Sequence, residues 1–444
     1  MTLGWLSRLT ATERKTFFAA FGGLALDSMD TTIYALVTPA LIATLGLSRP
    51  DAGILASSSL IGTAIGGWIA GIAADRFGRV RVLQFTILLV ALSTFAAAFA
   101  NGFWYMLVAR AIQGMGYGGE AAVGAVLVAE VVTSGMRGRV AAAIQSGYAV
   151  GNALSVALFP VIFGFLPQDM AWRVFFAIGV LPALLVFFVR RFVPESAIFA
   201  EQAGTRNATS DGSAFWTIFT GEHLFKTLVA TFFTTGTLGA AYVMITWLPT
   251  YLQTGLHLPV AHAAGYLGVN IFGSFVGPIA FGLLADRLGR RKSFMLFLVC
   301  QALNVAAYTQ LPIGQNITIV LGFFLGALQA GLASGLMPTF AELFPTSIRA
   351  NGAGFGLSAG RGLGSIVPAT VGILSTRMHL GDAMALCAIC GYAAAFCAAF
   401  MLPEQQGIDL RTMATEPSAS ESERPSHDNG AGRVEIIRME KAKP

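Results

Sequence analysis

Long apolar stretches alternate with short polar or glycine-bearing punctuation along the whole first nine-tenths of the chain. Most reach about 20 residues, the length at which a helix rising about 1.5 Å per residue crosses roughly 30 Å of hydrocarbon. The pattern predicts transmembrane helices over residues 17–45, 52–74, 82–100, 103–132, 140–165, 172–193, 224–253, 260–285, 293–312, 316–344, 351–376 and 381–402. Two longer polar intervals divide the chain. Residues 194–223 are expected to be a cytoplasmic linker, with Phe215, Trp216, Ile218 and Phe219 at the membrane interface. Residues 403–444, rich in Ser, Glu, Pro, Lys and Arg, are expected to be a disordered cytoplasmic tail. The expected organisation is therefore a segment 1–16, a six-helix bundle 17–193, the linker, a second six-helix bundle 224–402, and the tail. No cleavable signal peptide is expected, because the first apolar stretch contains Asp27 and Asp30 and is too long for one.

Composition agrees with this reading. A chain of 444 residues that is 55% hydrophobic and 11% charged is too apolar for one soluble core, so the bilayer is its expected solvent. Basic residues then orient it, since loops rich in Lys and Arg stay cytoplasmic. The N-terminal segment and the even-numbered connections hold Arg8, Arg14, Lys15, Arg76, Arg79, Arg81, Arg137, Arg139, Arg190, Arg191, Arg206, Lys226, Arg287, Arg290, Arg291, Lys292 and Arg349, whereas the odd-numbered ones hold only Arg49, Arg173 and Arg377. Both termini are expected to be cytoplasmic, in a cell (inner) membrane. The net charge of +5 lies where a topology signal belongs and calls for no nucleic-acid partner. Of four cysteines, Cys387 and Cys390 form a C-x-x-C inside an apolar helix without nearby ligands, so packed thiols are expected and no metal or other cofactor.

A charged word occurs twice. Gly71, Asp75, Arg76, Gly78 and Arg79 recur as Gly282, Asp286, Arg287, Gly289 and Arg290, at an offset of 211 residues. Glu130 and Arg137 recur as Glu342 and Arg349 at an offset of 212. Two motifs at nearly one offset imply a duplicated half. Placed at helix ends, these charges are candidates for gating pairs that hold one state of a moving machine and part in another.

These words resemble the loop signature of the major facilitator superfamily, and the resemblance covers residues 17–402. Arg110-Ala111-Ile112-Gln113-Gly114 and Pro194-Glu195-Ser196 are similar to further landmarks of that superfamily. The resemblance implies an all-α membrane protein of twelve transmembrane helices in two pseudo-symmetric six-helix bundles, functional as a monomer. Leu26-Asp27-Ser28-Met29-Asp30-Thr31, Thr246-Trp247-Leu248-Pro249-Thr250 and Gly360-Arg361-Gly362-Leu363-Gly364 resemble bacterial aromatic-acid:proton symporters. Gly114-Met115-Gly116-Tyr117-Gly118-Gly119-Glu120 looks more like the sialate and metabolite:proton symporters. The helix-5 glycine and proline signature of drug antiporters is not evident around Gly147, Gly151 and Pro160, which favours symport.

Charges within the apolar segments give an independent route to function. Asp27, Asp30, Glu120, Arg110 and Arg361 lie well inside predicted helices. Each would cost about 2.5–3.5 kcal/mol facing lipid, so they are expected to line a cleft or pair with one another. Asp27, Asp30 and Tyr34 share a face of helix 1, and Arg110, Gln113, Tyr117 and Glu120 form a stripe on helix 4. The five histidines fall in loops, helix ends or the tail, leaving Asp27, Asp30 and Glu120 as proton-coupling candidates, the helix-1 pair foremost. The alternative is a static ion pair, such as Glu120 with Arg110. Arg361 is the candidate anchor for a carboxylate, because a guanidinium offers two parallel hydrogen bonds that Lys cannot reproduce. Arg110, Gln113, Tyr34, Tyr242, Trp247, Asn270, Gln301, Asn304 and Gln329 are candidates to shape the substrate pocket, and Gln145, Tyr148 and Asn152 form a similar stripe in helix 5.

The expected function is proton-coupled uptake of a small organic anion, a carboxylate or aromatic acid, by alternating access. The alternatives are a proton-linked sugar or polyol porter, a proton-driven exporter, or a sensor that binds without transport. No nucleotide-binding motif or hydrolytic triad suggests an enzyme.

Overall fold

The computed structural model describes residues 6, 8–180, 216–312, 314–345 and 348–402, and the side chains of Asp75, Glu130 and Arg137 lie outside the described set. The described chain is helical: α1 (Ala11–Leu45), α2 (Arg49–Phe77), α3 (Arg79–Ala97), α4 (Phe103–Val131), α5 (Ser134–Phe165), α6 (Gln168–Ile178), α7 (Gly221–Thr250), α8 (Val260–Leu288), α9 (Arg290–Gln310), α10 (Gln315–Leu343), α11 in two pieces (Arg349–Gly364 and Val367–Leu374) and α12 (Leu380–Phe400). Among the described residues ten helices are long and apolar enough to cross a membrane. α4 is as long as its neighbours, but Arg110, Gln113 and Glu120 interrupt its apolar run. The remainder of the predicted sixth segment, most of the linker and the tail fall outside the described residues.

Local chemistry explains the boundaries. α1 begins earlier than the hydropathy suggests, because Thr10 and Glu13 form a reciprocal cap in which the Thr10 N–H donates to Glu13 Oε2 at 2.8 Å. The same carboxylate reaches across the bundle, accepting from the Thr133 N–H at 2.9 Å and so fixing the start of α5. Ser48 and Asp51 repeat the capping arrangement at α2. The predicted helix 351–376 is interrupted between Gly364 and Val367, where Pro368 begins the second piece; α7 ends in a single π turn, Tyr251–Gly255. In the linker, Trp216 is exposed, whereas Ile218 is buried and Phe219 packs edge-on against Phe355, so only part of the expected interfacial group is outward.

The duplicated word folds the same way twice. Gly78 and Gly289 both adopt positive φ, 101° and 89°, and join α2 to α3 and α8 to α9 through equivalent tight turns. Packing repeats as well: α2 lies on α4 as α8 lies on α10, and α1 on α5 as α7 on α11. Glycines permit the closest of these approaches, with Gly66 facing the Met115 backbone in the first half and Gly277 facing the Ala327 backbone in the second.

The halves meet through α2 with α11, α5 with α8, and α1 with α7. Direct bonds between them lie towards the end bearing the odd-numbered connections. There the Ala369 N–H, freed by the break in α11, donates to Ser57 Oγ at 3.1 Å. An atom added as Cβ at Gly53 would stand 2.7 Å from the Pro368 carbonyl oxygen, so the backbones of the two halves are nearly in contact.

Candidate functional site: a charged layer between the halves

The deepest polar group belongs to the first half alone. α1 packs on α4, which places Asp30 beside Arg110 and Gln113, all three buried. Arg110 Nη1 donates to Asp30 Oδ2 at 2.6 Å and to Gln113 Oε1 at 2.7 Å, while Gln113 Nε2 donates to Asp30 Oδ1 at 2.6 Å and is also bonded to Thr94 Oγ1. The guanidinium sits 4.4 Å over the Tyr34 ring, whose hydroxyl donates to the Ala52 carbonyl at 2.7 Å. Tyr34, Arg110 and Gln113 thus serve one closed knot. The static pair considered for Arg110 with Glu120 is made with Asp30 instead. Ten residues along one helix separate Arg110 from Glu120 by about 15 Å, whereas α1 crosses beside Arg110.

One turn earlier on α1, the environment changes. Asp27 is half-buried, and its strongest charge interaction is with Arg361 of the second half, followed by Glu120, Asp30 and Arg110. Tyr148 of α5 and Tyr242 of α7 lie in the field of the same Asp27 and Arg361. The second half positions Arg361 by pressing α11 onto α7 through Gly356, Gly360 and Gly364; an added Cβ at Gly364 would meet the Gly239 nitrogen at 2.9 Å. Arg361 is half-buried, its Nε is withdrawn from solvent, and among the described residues no side chain hydrogen-bonds to its guanidinium. An opposed acid and guanidinium, one from each half, is the site's central feature.

Beyond this layer is a cavity of about 70 Å³ between the halves, with Thr32, Asn152, Asn270 and Gln329 among its polar walls and Val156, Ile245, Leu248 and Ile271 among its apolar ones. Asn152 Oδ1 accepts from Thr32 and lies 2.5 Å from Ser28 Oγ, whose one proton is shared with the Tyr148 carbonyl, which turns the Asn152 amide nitrogen to other partners. Asn270 Nδ2 donates to the Gly322 carbonyl at 3.1 Å. Gln329 lines the cavity without a side-chain bond among the described residues.

Other pocket candidates lie elsewhere. Trp247 is fully buried and donates Nε1–H to the Pro368 carbonyl at 3.0 Å. Gln301 donates to the Leu325 carbonyl at 3.3 Å, and Asn304 to the Leu321 carbonyl at 3.1 Å, so both tie α9 to α10. Among the gating candidates, Arg290 pairs with Glu342 at 2.6 Å, joining α9 to α10 within the second half rather than one half to the other. Arg79 is buried and donates to the Ala74 carbonyl at 3.2 Å, Arg349 Nε donates to the Phe344 carbonyl at 3.4 Å, and Arg76, Asp286 and Arg287 are exposed. Asp75, Glu130 and Arg137 lie outside the described side chains. Sequence reasoning missed Thr32, Ser28, Ser57 and Thr94. Ser28 and Thr32 carried a legible signal, since residues four apart share a helix face.

Comparison with known proteins places this geometry. Residues 20–369 match the profile of the Major Facilitator Superfamily. The chain is 37% identical over 413 residues to a probable 4-methylmuconolactone transporter of Cupriavidus pinatubonensis, covering 92% of this chain and 95% of that one. It is 30% identical over 375 residues to the cis,cis-muconate transport protein of Acinetobacter baylyi, covering 83% and 89%. Among solved structures, the E. coli xylose transporter XylE in an inward-open conformation is similar in fold, with a TM-score of 0.73 at 19% identity over 90% of this chain and 98% of that one.

Proposed function

The chain belongs to the major facilitator superfamily, a multi-pass membrane transporter and not an enzyme, and on that premise we propose that it imports a small organic acid together with protons by alternating access. The observation that carries the proposal is the placement of Asp27 in the field of Arg361 across the two halves, where among the described residues no side chain hydrogen-bonds to the guanidinium. Arg361 can clamp a carboxylate through two charge-assisted hydrogen bonds. Asp27 competes for the same charge. When Asp27 takes up a proton its hold on Arg361 weakens, and the cargo carboxylate replaces it; loss of the cargo leaves Arg361 to draw the proton off again. Binding of acid and proton are thereby linked. Glu120, buried and also felt by Asp27, is the second candidate carrier, while Asp30 serves to hold Arg110. The transport of organic acids by the two relatives supports the choice of cargo.

The place where the halves touch supports alternating access. The Ser57 and Ala369 bond, with the close approach at Gly53, closes the odd-connection end in this state. The distribution of basic residues supports placing the other end, with both termini, in the cytoplasm. Charges at the helix ends can bias the exchange between states by about a kcal/mol or less each when partly solvated, Arg290 and Glu342 only through the packing of α9 on α10 within the second half.

The test is uptake of a panel of monocarboxylates, aromatic acids, sialic acid and sugars into proteoliposomes under an imposed pH gradient. Uptake of an acid that rises with the gradient supports the proposal; uptake of a sugar alone, or of nothing in protein of proven orientation and fold, overturns it.

A further inference from the structure

Only two basic residues stand deep within the described membrane helices, Arg110 and Arg361. Arg110 is committed: it is buried with Asp30, and each is bonded to Gln113 as well. Arg361 remains, in the field of Asp27 on the facing half, which also feels Glu120. The site can therefore offset one carboxylate.

The cavity tells what the rest of the cargo is. α1, α5 and α7 run in the same direction, because odd-numbered helices start from the same end. On each, the step from charged layer to cavity is three to five residues, from Asp27 to Thr32, Tyr148 to Asn152 and Tyr242 to Ile245, or about 5–8 Å. At about 70 Å³ it has room for several ordered waters or for the end group of a small organic molecule. Its polar walls are three amides and the Thr32 hydroxyl, with no cation among the described residues. A second carboxylate there would be stripped of water without a counter-charge among the lining residues. A neutral carbonyl, ester or hydroxyl would instead accept from the amide nitrogen of Asn152, whose oxygen already accepts from Thr32, and from Gln329.

We infer that the cargo is a compact monocarboxylate with an uncharged oxygen at its other end, its carboxylate on Arg361 and its neutral end between Asn152 and Gln329, so that dicarboxylates of the same skeleton are rejected. The inference rests on the organic-acid reading above and narrows it.

The experiment compares muconate with its monomethyl ester, which differ in one terminal charge, by calorimetric binding to the purified full-length protein at neutral pH. The expected result is that the monoester binds about tenfold or more tightly than the diacid, and that Gln329→Arg, which supplies a second cation, narrows or reverses the preference. Equal or tighter binding of the diacid to the unaltered protein overturns the inference, as does an unchanged ranking in folded Gln329→Arg. If that variant does not fold, the ranking by the unaltered protein decides alone. Binding of neither compound, nor of any acid in the uptake panel, overturns the organic-acid reading itself and this inference with it; binding of other acids without discrimination by terminal charge overturns only the inference.

Discussion

Arg110 and Asp30 face each other at 2.6 Å from α4 and α1, each side chain no more than 4% exposed. A pair withdrawn this far contributes little net stability, yet removing one partner strands a buried charge at a cost of about 3–5 kcal/mol. Arg110→Leu is expected to lower the melting temperature in detergent sharply, while the double variant Arg110→Gln with Asp30→Asn recovers most of the loss. A double variant as unstable as the single one would show that the damage comes from shape rather than from the stranded carboxylate.

Arg361 should behave differently, since its partner arrives with the cargo. Replacement by Lys keeps the charge and loses the paired hydrogen bonds, worth about 1.5–3 kcal/mol for charged groups, or roughly 10- to 100-fold in affinity. Membrane insertion and melting temperature are expected to stay near those of the unaltered protein. Uptake kinetics unaffected by Arg361→Lys would remove this residue from the site.

Gly53 marks the seal between the halves. Its added Cβ would lie 2.7 Å from the Pro368 carbonyl oxygen and 2.9 Å from Ala369 Cα, both backbone atoms that cannot swing aside. Gly53→Val is expected to keep the fold, prevent closure at the odd-connection end and abolish transport. A cysteine at position 57, where Ser57 is now buried, should then react with a membrane-impermeant thiol reagent at least about tenfold faster from that side. Unchanged labelling would mean that the halves close elsewhere.

Arg290 and Glu342 are partly exposed, so their pair is worth about 1 kcal/mol or less. Arg290→Glu is expected to change the transport rate by no more than a few-fold, and exchange of the two charges, Arg290→Glu with Glu342→Arg, to restore it. A rate unmoved by either variant would remove the pair from gating.

Much of this fold was legible because a bilayer imposes a simple rule on composition and length. The duplicated Asp-Arg words marked equivalent turns, and Gly78 and Gly289 show why glycine stands in both: each needs a positive φ. The break in α11 was not legible, since Gly364 and Pro368 are as compatible with an unbroken membrane helix as with two pieces. Within the site, sequence separated the intramembrane charges from the rest but not from one another. Asp27 and Asp30 are three residues apart on one helix, yet Asp30 pairs with Arg110 inside its own half while Asp27 lies in the field of Arg361 across the cleft. Which partner each meets depends on helices distant in sequence. Trp247, Gln301 and Asn304 illustrate the same limit, because a polar group in an apolar helix reads identically whether it faces a cavity or a neighbouring carbonyl.

The central claim is that Asp27 links proton movement to cargo through Arg361, and proton flux measured beside cargo flux tests it most directly. In proteoliposomes holding a pH-sensitive dye, addition of a transported acid to the unaltered protein is expected to carry protons inward with it. Asp27→Asn is expected to bind the acid while losing substrate-driven proton entry. Proton entry in that variant at the unaltered ratio of protons to acid would contradict the account.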